Sequence, residues 1–138
     1  MSTFSALQRR GAVASAMLAL AVPAALALST APASAARPTC TTFTEVAGAL
    51  LPSAANHNTD CVLRRGDRGD GVKQLQRTLV ACYQAGIAKD GVFGADTEDA
   101  LRRAQTKAGT NADGIYGPQT RRAINHPFVG DSPCGRAS

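Results

Sequence analysis

Beyond residue 60, apolar positions recur with helical spacing between glycine-containing turns. The first such run predicts a helix over about Asp70–Tyr83, whose apolar face consists of Val72, Leu75, Leu79 and Cys82. Asp70 is suited to its N-cap, and Gly86 stands just beyond its end. No long stretch alternates between apolar and polar positions, as a half-buried strand would. The sequence therefore predicts an all-α fold with short turns.

Two further helices are predicted toward the end of the chain. The second covers about Ala95–Lys107 and is closed by Gly109. The third is shorter, covers about Pro118–Asn125 and is ended by Pro127. The apolar residues predicted to face inward on these two helices are Ala100, Leu101, Ala104, Ala123 and Ile124.

An internal repeat introduces the second and third helices. Asp90–Thr97 recurs 23 positions later as Asp113–Thr120, and each copy reads Asp-Gly, an apolar residue, an aromatic residue and Gly. Asp-Gly predicts a tight turn in which Gly takes a positive φ. We expect the pairs Val92-Phe93 and Ile115-Tyr116 to turn inward, and the next Gly to stand at a helix N-cap. The residues assigned to this structural repeat are Asp90, Gly91, Phe93, Gly94, Thr97, Asp113, Gly114, Gly117 and Thr120.

Residues 37–60 differ in composition from the part that follows. They are rich in Thr and Ala, and a short helix is predicted over Thr44–Leu51, stopped by Pro52. Polar, turn-forming residues follow up to position 60. We therefore divide this part of the chain into an N-terminal leader with a short helix at 37–60, a domain at 61–127 and a C-terminal tail at 128–138.

Residues 1–36 have the pattern of a secretory signal peptide. Two arginines form a positive start, an apolar run follows over Gly11–Leu28, and small residues end the segment at Ala33–Ala36. The run is also about long enough to remain as a membrane anchor, although Pro23 and the small-residue exit favour cleavage. We expect a secreted protein, extracellular or associated with the cell wall, without stable membrane insertion after cleavage. The cleavage position is open by one residue.

The cysteine content predicts two disulfide bonds. All four cysteines lie beyond residue 36, and an even number in a short exported chain is typical of disulfides. A metal site would require close C-x-x-C pairs, which the sequence lacks. Three pairings are possible, and we favour one in which the last cysteine ties the tail to the body. The cysteines are Cys40, Cys61, Cys82 and Cys134.

Charge and histidine content narrow the class of function. The chain has 15 Lys+Arg and 10 Asp+Glu, and the 102 residues beyond position 36 keep a net charge of +3. That mild basicity suits anionic wall polymers and falls short of a nucleic-acid-binding surface. The sequence has only His57 and His126, and neither an H-E-x-x-H nor a G-x-S-x-G motif. We therefore expect no catalytic residues, no metal site and no cofactor.

The residues around the repeat resemble a known family. Gly66 and Gly69 lead into Val72-Lys73-Gln74-Leu75-Gln76, and the two Asp-Gly blocks follow. This combination resembles the peptidoglycan-binding domain type 1 family over about residues 62–126. The resemblance implies a three-helix module of the kind attached to bacterial wall hydrolases. One position departs from the family, which usually has Phe-Gln near the end of the second helix, where this chain has Ala104-Gln105.

Candidate ligand contacts come from side chains in and beside the second repeat. Arginine forks suit the carboxylates of wall peptides, amides hydrogen-bond to sugars, and a tyrosine at a rim would offer a ring and a hydroxyl. A solvated surface position, or a core position for the tyrosine, stays the alternative for each. The predicted ligand-binding residues are Arg102, Gln105, Asn111, Tyr116 and Arg121.

These features together predict a secreted, non-catalytic module that binds peptidoglycan, through its glycan strand or its stem peptide. One alternative is a protein–protein module of the same fold, acting as an inhibitor or targeting subunit of a separately encoded wall hydrolase. A small lytic enzyme of unfamiliar design is the other. Nucleic acid is not an expected partner. Pelleting with wall, capture of a single hydrolase and activity on labelled wall separate the three.

Overall fold

The structure is a computed structural model that describes residues 36–130 and 133–137. Except for Ala36, the predicted signal segment lies outside these residues. The described chain contains a pair of strands, three helices and a second pair of very short strands. In chain order they are β1 (Thr42–Val46), β2 (Ala49–Ser53), α1 (Asp70–Tyr83), α2 (Ala95–Ala108), α3 (Pro118–Ala123), β3 (Asn125–His126) and β4 (Gly135–Arg136).

The three helices lie where the hydrophobic pattern predicts them, with differences only at their ends. α1 has the predicted bounds, α2 is slightly longer and α3 slightly shorter. Gly69, rather than Asp70, occupies the N-cap of α1, and Gly94 and Gly117 occupy the N-caps of α2 and α3. No helix within the described ranges is long and apolar enough to cross a membrane.

The main hydrophobic core lies between α1, α2 and the two copies of the repeat. Phe93 and Tyr116 are its largest fully buried side chains, and α1 contributes Val72, Leu75 and Leu79. Ile115 was expected to turn inward beside Tyr116, but its side chain is 39% exposed. Tyr116 forms a β-bridge with Leu63, and neighbouring side chains in such an extended segment point to opposite sides.

The all-α prediction is wrong, because residues 42–53 form an antiparallel hairpin where a helix was predicted over Thr44–Leu51. Half-buried and exposed positions alternate along β1, which is the period of a strand. Ala47 and Gly48, with φ of 49° and 82°, form the two-residue turn that suits a hairpin. Pro52 lies inside β2, opposite Phe43, instead of ending a helix.

Contacts with distant parts of the chain stabilise the hairpin. The Leu50 amide donates to the Pro127 carbonyl at 3.0 Å, and the Val129 amide donates to the Gly48 carbonyl at 2.8 Å. β3 and β4 pair beside them as a second antiparallel sheet. A small apolar cluster fills the space between these segments and consists of Ala49, Leu51 and Ala137, with Val46 and Phe128 packed against it.

Both predicted disulfide bonds are present, and their pairing is Cys40–Cys61 and Cys82–Cys134. The first joins the segment before β1 to the start of the helical part. The second joins α1 to the C-terminal tail, in agreement with the pairing we favoured for the last cysteine. The two bonds close loops of 21 and 52 residues, and such loops correspond to roughly 3–4 kcal/mol each in a chain-entropy account.

Candidate functional site

The first copy of the repeat is built around one buried glutamine of α1. The Gln76 amide nitrogen lies 2.9 Å from Asp90 Oδ1, 3.0 Å from the Val92 carbonyl and 3.1 Å from Thr97 Oγ1, and donates its two hydrogens among them. Its amide oxygen accepts from the Gly91 backbone N–H at 2.8 Å. One side chain thus joins the Asp-Gly turn and the first turn of α2 to α1.

The second copy contains the same arrangement around Gln105 of α2. Its amide nitrogen lies 2.9 Å from Asp113 Oδ1, 3.0 Å from the Ile115 carbonyl and 2.9 Å from Thr120 Oγ1. Its amide oxygen accepts from the Gly114 backbone N–H at 2.9 Å. We call each glutamine with its Asp-Gly turn and threonine a polar node, the first centred on Gln76 and the second on Gln105.

The aspartates of both nodes close their own turns. Asp90 Oδ1 accepts from the Val92 N–H, and Asp113 Oδ1 accepts from the Ile115 N–H, both at 2.9 Å. The Val92 backbone bond and, after it, the Gln76 side-chain bond hold the pKa of Asp90 below its ordinary value of 3.8. These contacts favour the charged carboxylate, so Asp90 is not suited to donate a proton near neutral pH.

A groove opens on the outer side of each polar node, and corresponding residues of the two copies line it. The first groove has a volume of about 180 Å³ and the second about 280 Å³. Each is bounded by the aspartate and the apolar residue of its Asp-Gly turn, and by the first residues of the helix that follows. The repeat therefore duplicates a surface feature as well as a core contact.

The two grooves differ in charge. Asp90 and Asp96 line the first groove, and no cation lies among its lining residues. Asp113 lines the second, together with Arg37 and Arg122. Neither of these arginines forms an ion pair with a carboxylate of the described residues. The second groove is thus the one suited to an anionic group, and the exposed Ile115 adds an apolar wall to it.

Residues 68–124 match the model of a family described as putative peptidoglycan binding domain. This part of the chain belongs to that family. The finding confirms the resemblance seen in the sequence. Both polar nodes and seven of the nine lining residues of the second groove lie inside the peptidoglycan-binding domain, whereas Arg37 and Val62 of that groove, the β1–β2 hairpin and the C-terminal tail lie outside the matched residues.

Several similar proteins are wall enzymes by name. The chain is 39% identical over 82 residues to a probable N-acetylmuramoyl-L-alanine amidase of Bacillus licheniformis, covering 56% of this chain and 22% of that protein. It is 45% identical over 65 residues to a zinc D-Ala-D-Ala carboxypeptidase of Streptomyces albus G, covering 45% of this chain and 25% of that protein. The crystal structure of the SleB N-terminal domain is 39% identical, covers 45% of this chain and 85% of its own, and superposes with a TM-score of 0.43.

The chain therefore spans about a quarter or less of the length of these two enzymes. The similar segment corresponds to the peptidoglycan-binding domain, not to a catalytic domain. Within residues 36–130 and 133–137, no group of three or more His, Cys, Asp or Glu side chains is placed to hold a metal ion.

Two of the five predicted ligand-binding residues of the peptidoglycan-binding domain are buried in this structure. The Gln105 amide makes its hydrogen bonds inside the second polar node, and neither Gln105 nor Tyr116 has accessible surface for a ligand to contact. Tyr116 packs edge-on against His126, with 6.3 Å between the ring centroids, and burial raises the pKa of its hydroxyl above the ordinary value. A contact between either side chain and wall would require the core to open.

The other three predicted residues lie nearer the surface, and each makes different contacts. Arg102 donates to Glu98 at 2.6 Å, and Glu98 also accepts from Arg65. Asn111 is exposed beside Asp113, at 3.4 Å. Arg121 is partly buried, and its carbonyl contacts the His126 ring at 2.9 Å. Their roles in ligand binding stay predictions.

Three lining residues of the second groove are not among the ligand contacts predicted from the sequence, namely Arg37, Ile115 and Gln119. For Gln119 the sequence does contain a sign of a surface role. The two copies differ at this exposed position, where the first has Asp96, whereas their node residues are the same. Arg37 had none, since a contact between the leader and the second groove arises only in the folded chain.

Proposed function

We propose that the chain is an exported, non-catalytic module that binds peptidoglycan through the second groove. The observation that carries the proposal is the match of residues 68–124 to the putative peptidoglycan binding domain family. Similar segments occur in an amidase and a carboxypeptidase whose names refer to bonds of wall peptides. Two disulfides support an oxidising, extracellular location.

The charge of the second groove favours the stem peptide as the part of the wall that it contacts. Carboxylates of the stem peptide are suited to Arg37 and Arg122, because guanidinium groups bind carboxylates through paired N–H donors. Ile115 offers apolar contact to a short side chain or to a sugar face. A single groove of this size binds weakly, and a polymer with repeated sites compensates through multivalency.

The test is co-sedimentation of the full oxidised chain with purified sacculi, with and without teichoic acid, at low and high salt. We expect pelleting on teichoic-acid-free sacculi without release of muropeptides. Arg122→Gln should weaken binding by about two-fold to five-fold, the range of a solvent-exposed ion pair. Arg77→Gln, which removes an exposed cation of α1 outside both grooves, is the matched control and should leave binding unchanged.

Other outcomes contradict separate parts of the proposal. Release of muropeptides would make the chain an enzyme. Pelleting that requires teichoic acid would show that teichoic acid, and not peptidoglycan, is the ligand. Absence of pelleting, together with capture of one stoichiometric hydrolase, would favour the protein–protein alternative.

A further inference from the structure

The β1–β2 hairpin has one open edge. β1 pairs with β2 on one side, and on its other side the described residues form no hydrogen bond to its backbone. An open edge of this kind presents N–H and C=O groups to which another extended chain can add as a further strand. The hairpin lies outside the residues that match the family model and shares no residue with either groove of the repeat. Its edge is therefore a surface separate from the one that we propose for the wall.

The register of the hairpin decides which backbone groups point outward. The Leu50 amide donates to Pro127, on the side away from β1, so Leu50 and its partner Glu45 form a pair without hydrogen bonds. The same holds for Pro52, which has no N–H, and its partner Phe43, because bonded and non-bonded pairs alternate along an antiparallel ladder. The amide and carbonyl groups of Phe43 and Glu45 consequently face the open edge.

The side chains beside this edge combine an aromatic ring with a carboxylate. Phe43 is 38% exposed, and Glu45 is exposed and forms no ion pair with a cation of the described residues. Both lie on the face of the hairpin opposite to Val46, which packs into the small apolar cluster. Side chains directly opposite one another on neighbouring strands interact, and opposite charges stabilise such a pair. A chain added at this edge is therefore favoured when it places an apolar residue beside Phe43 and a cation beside Glu45.

We propose that the open edge of β1 binds an extended segment of another protein, in which a basic residue and an apolar residue stand two positions apart. A second copy of this chain is less suited, because residues 41–47 contain no Lys or Arg and the same edge of a second copy brings no cation to Glu45. The proposal does not rest on peptidoglycan binding. With the second groove on the wall, this edge is free to hold a second exported protein there.

The first experiment is amide hydrogen exchange of the ¹⁵N-labelled full oxidised chain, with and without the peptide acetyl-Thr-Val-Thr-Lys-Thr-Val-Thr-amide. The symmetric pattern of this peptide suits either strand direction. In the free protein we expect fast exchange at Phe43 and Glu45 and slow exchange at Thr44, whose amide faces β2. With nine-tenths of the protein bound, exchange at Phe43 and Glu45 should slow by about ten-fold, because it then proceeds only from the free state. Thr44 should change much less.

Variants localise the binding. Glu45→Gln should weaken the lysine peptide by about two-fold to five-fold, the range of an exposed ion pair, and should remove its advantage over a peptide with Glu in place of Lys. Asp99→Asn, at an exposed carboxylate of α2, is the matched control and should change nothing. Phe43→Pro removes an outward N–H without removing a bond of the hairpin, and should abolish the protection of Glu45. Circular dichroism checks that this variant folds, and Glu45→Gln tests the edge independently of it.

The inference is overturned if the lysine peptide protects neither Phe43 nor Glu45, if the glutamate peptide binds equally well, or if Glu45→Gln and Asp99→Asn behave alike. Sedimentation equilibrium of the chain alone detects a second copy, and a dimer that Phe43→Pro removes would assign the edge to self-association instead. Co-sedimentation with sacculi separates the edge from the proposed function. Phe43→Pro should pellet as the unchanged protein does, and a loss of pelleting would mean that the edge contacts the wall rather than another protein.

Discussion

The two copies of the repeat have the same interior and different exteriors. Gln76 and Gln105 each make the same four contacts, with an aspartate, a carbonyl, a threonine hydroxyl and a glycine N–H, at distances that agree within a few tenths of an ångström. Outside the nodes, Asp96 of the first copy corresponds to Gln119 of the second, and the second groove alone has arginines. The shared residues build the fold, and the residues that differ give each groove its own chemistry.

The aromatic residues beneath the two grooves differ as well. Phe93 of the first copy is buried among apolar side chains. Tyr116 of the second is equally buried, but its hydroxyl has no hydrogen-bond partner among the described residues. It packs against the buried ring of His126, whose Nδ1 also has no such partner. The second copy thus combines a basic groove with a polar, incompletely bonded interior.

The largest effect is expected where the two copies agree. Gln76→Leu and Gln105→Leu should each lower the free energy of unfolding by about 3 kcal/mol or more, because each leaves a buried glycine N–H without its acceptor and removes a donor from an aspartate, a carbonyl and a threonine hydroxyl. Urea denaturation followed by circular dichroism measures both losses. Gln119→Ala, at an exposed glutamine, is the control and should cost little. A loss below about 1 kcal/mol for one glutamine alone would contradict the equivalence of the nodes.

The equivalence of the two glutamines was available in the sequence but was not recognised. Gln76 precedes its aspartate by 14 positions and Gln105 by 8, because Gln76 lies about one turn further from the end of its helix and the loop after α1 is two residues longer than the loop after α2. The unequal spacing hides the repeat from a comparison at fixed offset. Gln105 was consequently predicted as a surface ligand contact, although its amide makes its hydrogen bonds inside the second polar node.

The helices could be predicted because the residues that begin and end them lie next to them in the sequence. Gly69, Gly94, Gly109 and Gly117 bound them, and the buried faces follow from spacing alone. The hairpin could not, because Ala49–Ser53 is a short apolar run that suits a strand or a helix equally. Its strand conformation depends on hydrogen bonds from Leu50 and Val129, which join it to segments far away in the chain.

A pH-dependent effect of similar or slightly smaller size should come from the second copy alone. Burial lowers the pKa of His126 from 6.5 to about 4, and the first copy has no such histidine beside its aromatic ring. Between these two values the unfolded chain binds a proton that the folded chain does not. The free energy of unfolding should therefore have its full value above pH 6.5. It should fall as the pH is lowered toward 4, by about 3 kcal/mol in total.

Urea denaturation at pH 7.0, 6.0, 5.0 and 4.5 tests this dependence. His126→Gln should flatten the curve between pH 6.5 and 4.5, a window that lies above the pKa of ordinary carboxylates. His57→Gln, at an exposed histidine, should leave the curve as it is in the unchanged protein. Two outcomes would contradict the role of His126. One is a free energy of unfolding that does not change with pH in the wild-type protein, and the other is a pH dependence that His57→Gln removes.

The smallest effect comes from exchanging the aromatic residues of the two copies. Tyr116→Phe removes a buried hydroxyl that has no partner among the described residues, and should raise the free energy of unfolding by about 1 kcal/mol. Phe93→Tyr places a hydroxyl among apolar side chains and should lower it by about 2 kcal/mol. Thermal and urea denaturation measure both. A clear loss on Tyr116→Phe would mean that the Tyr116 hydroxyl makes a hydrogen bond in the folded protein, so that the polar interior of the second copy contributes to stability.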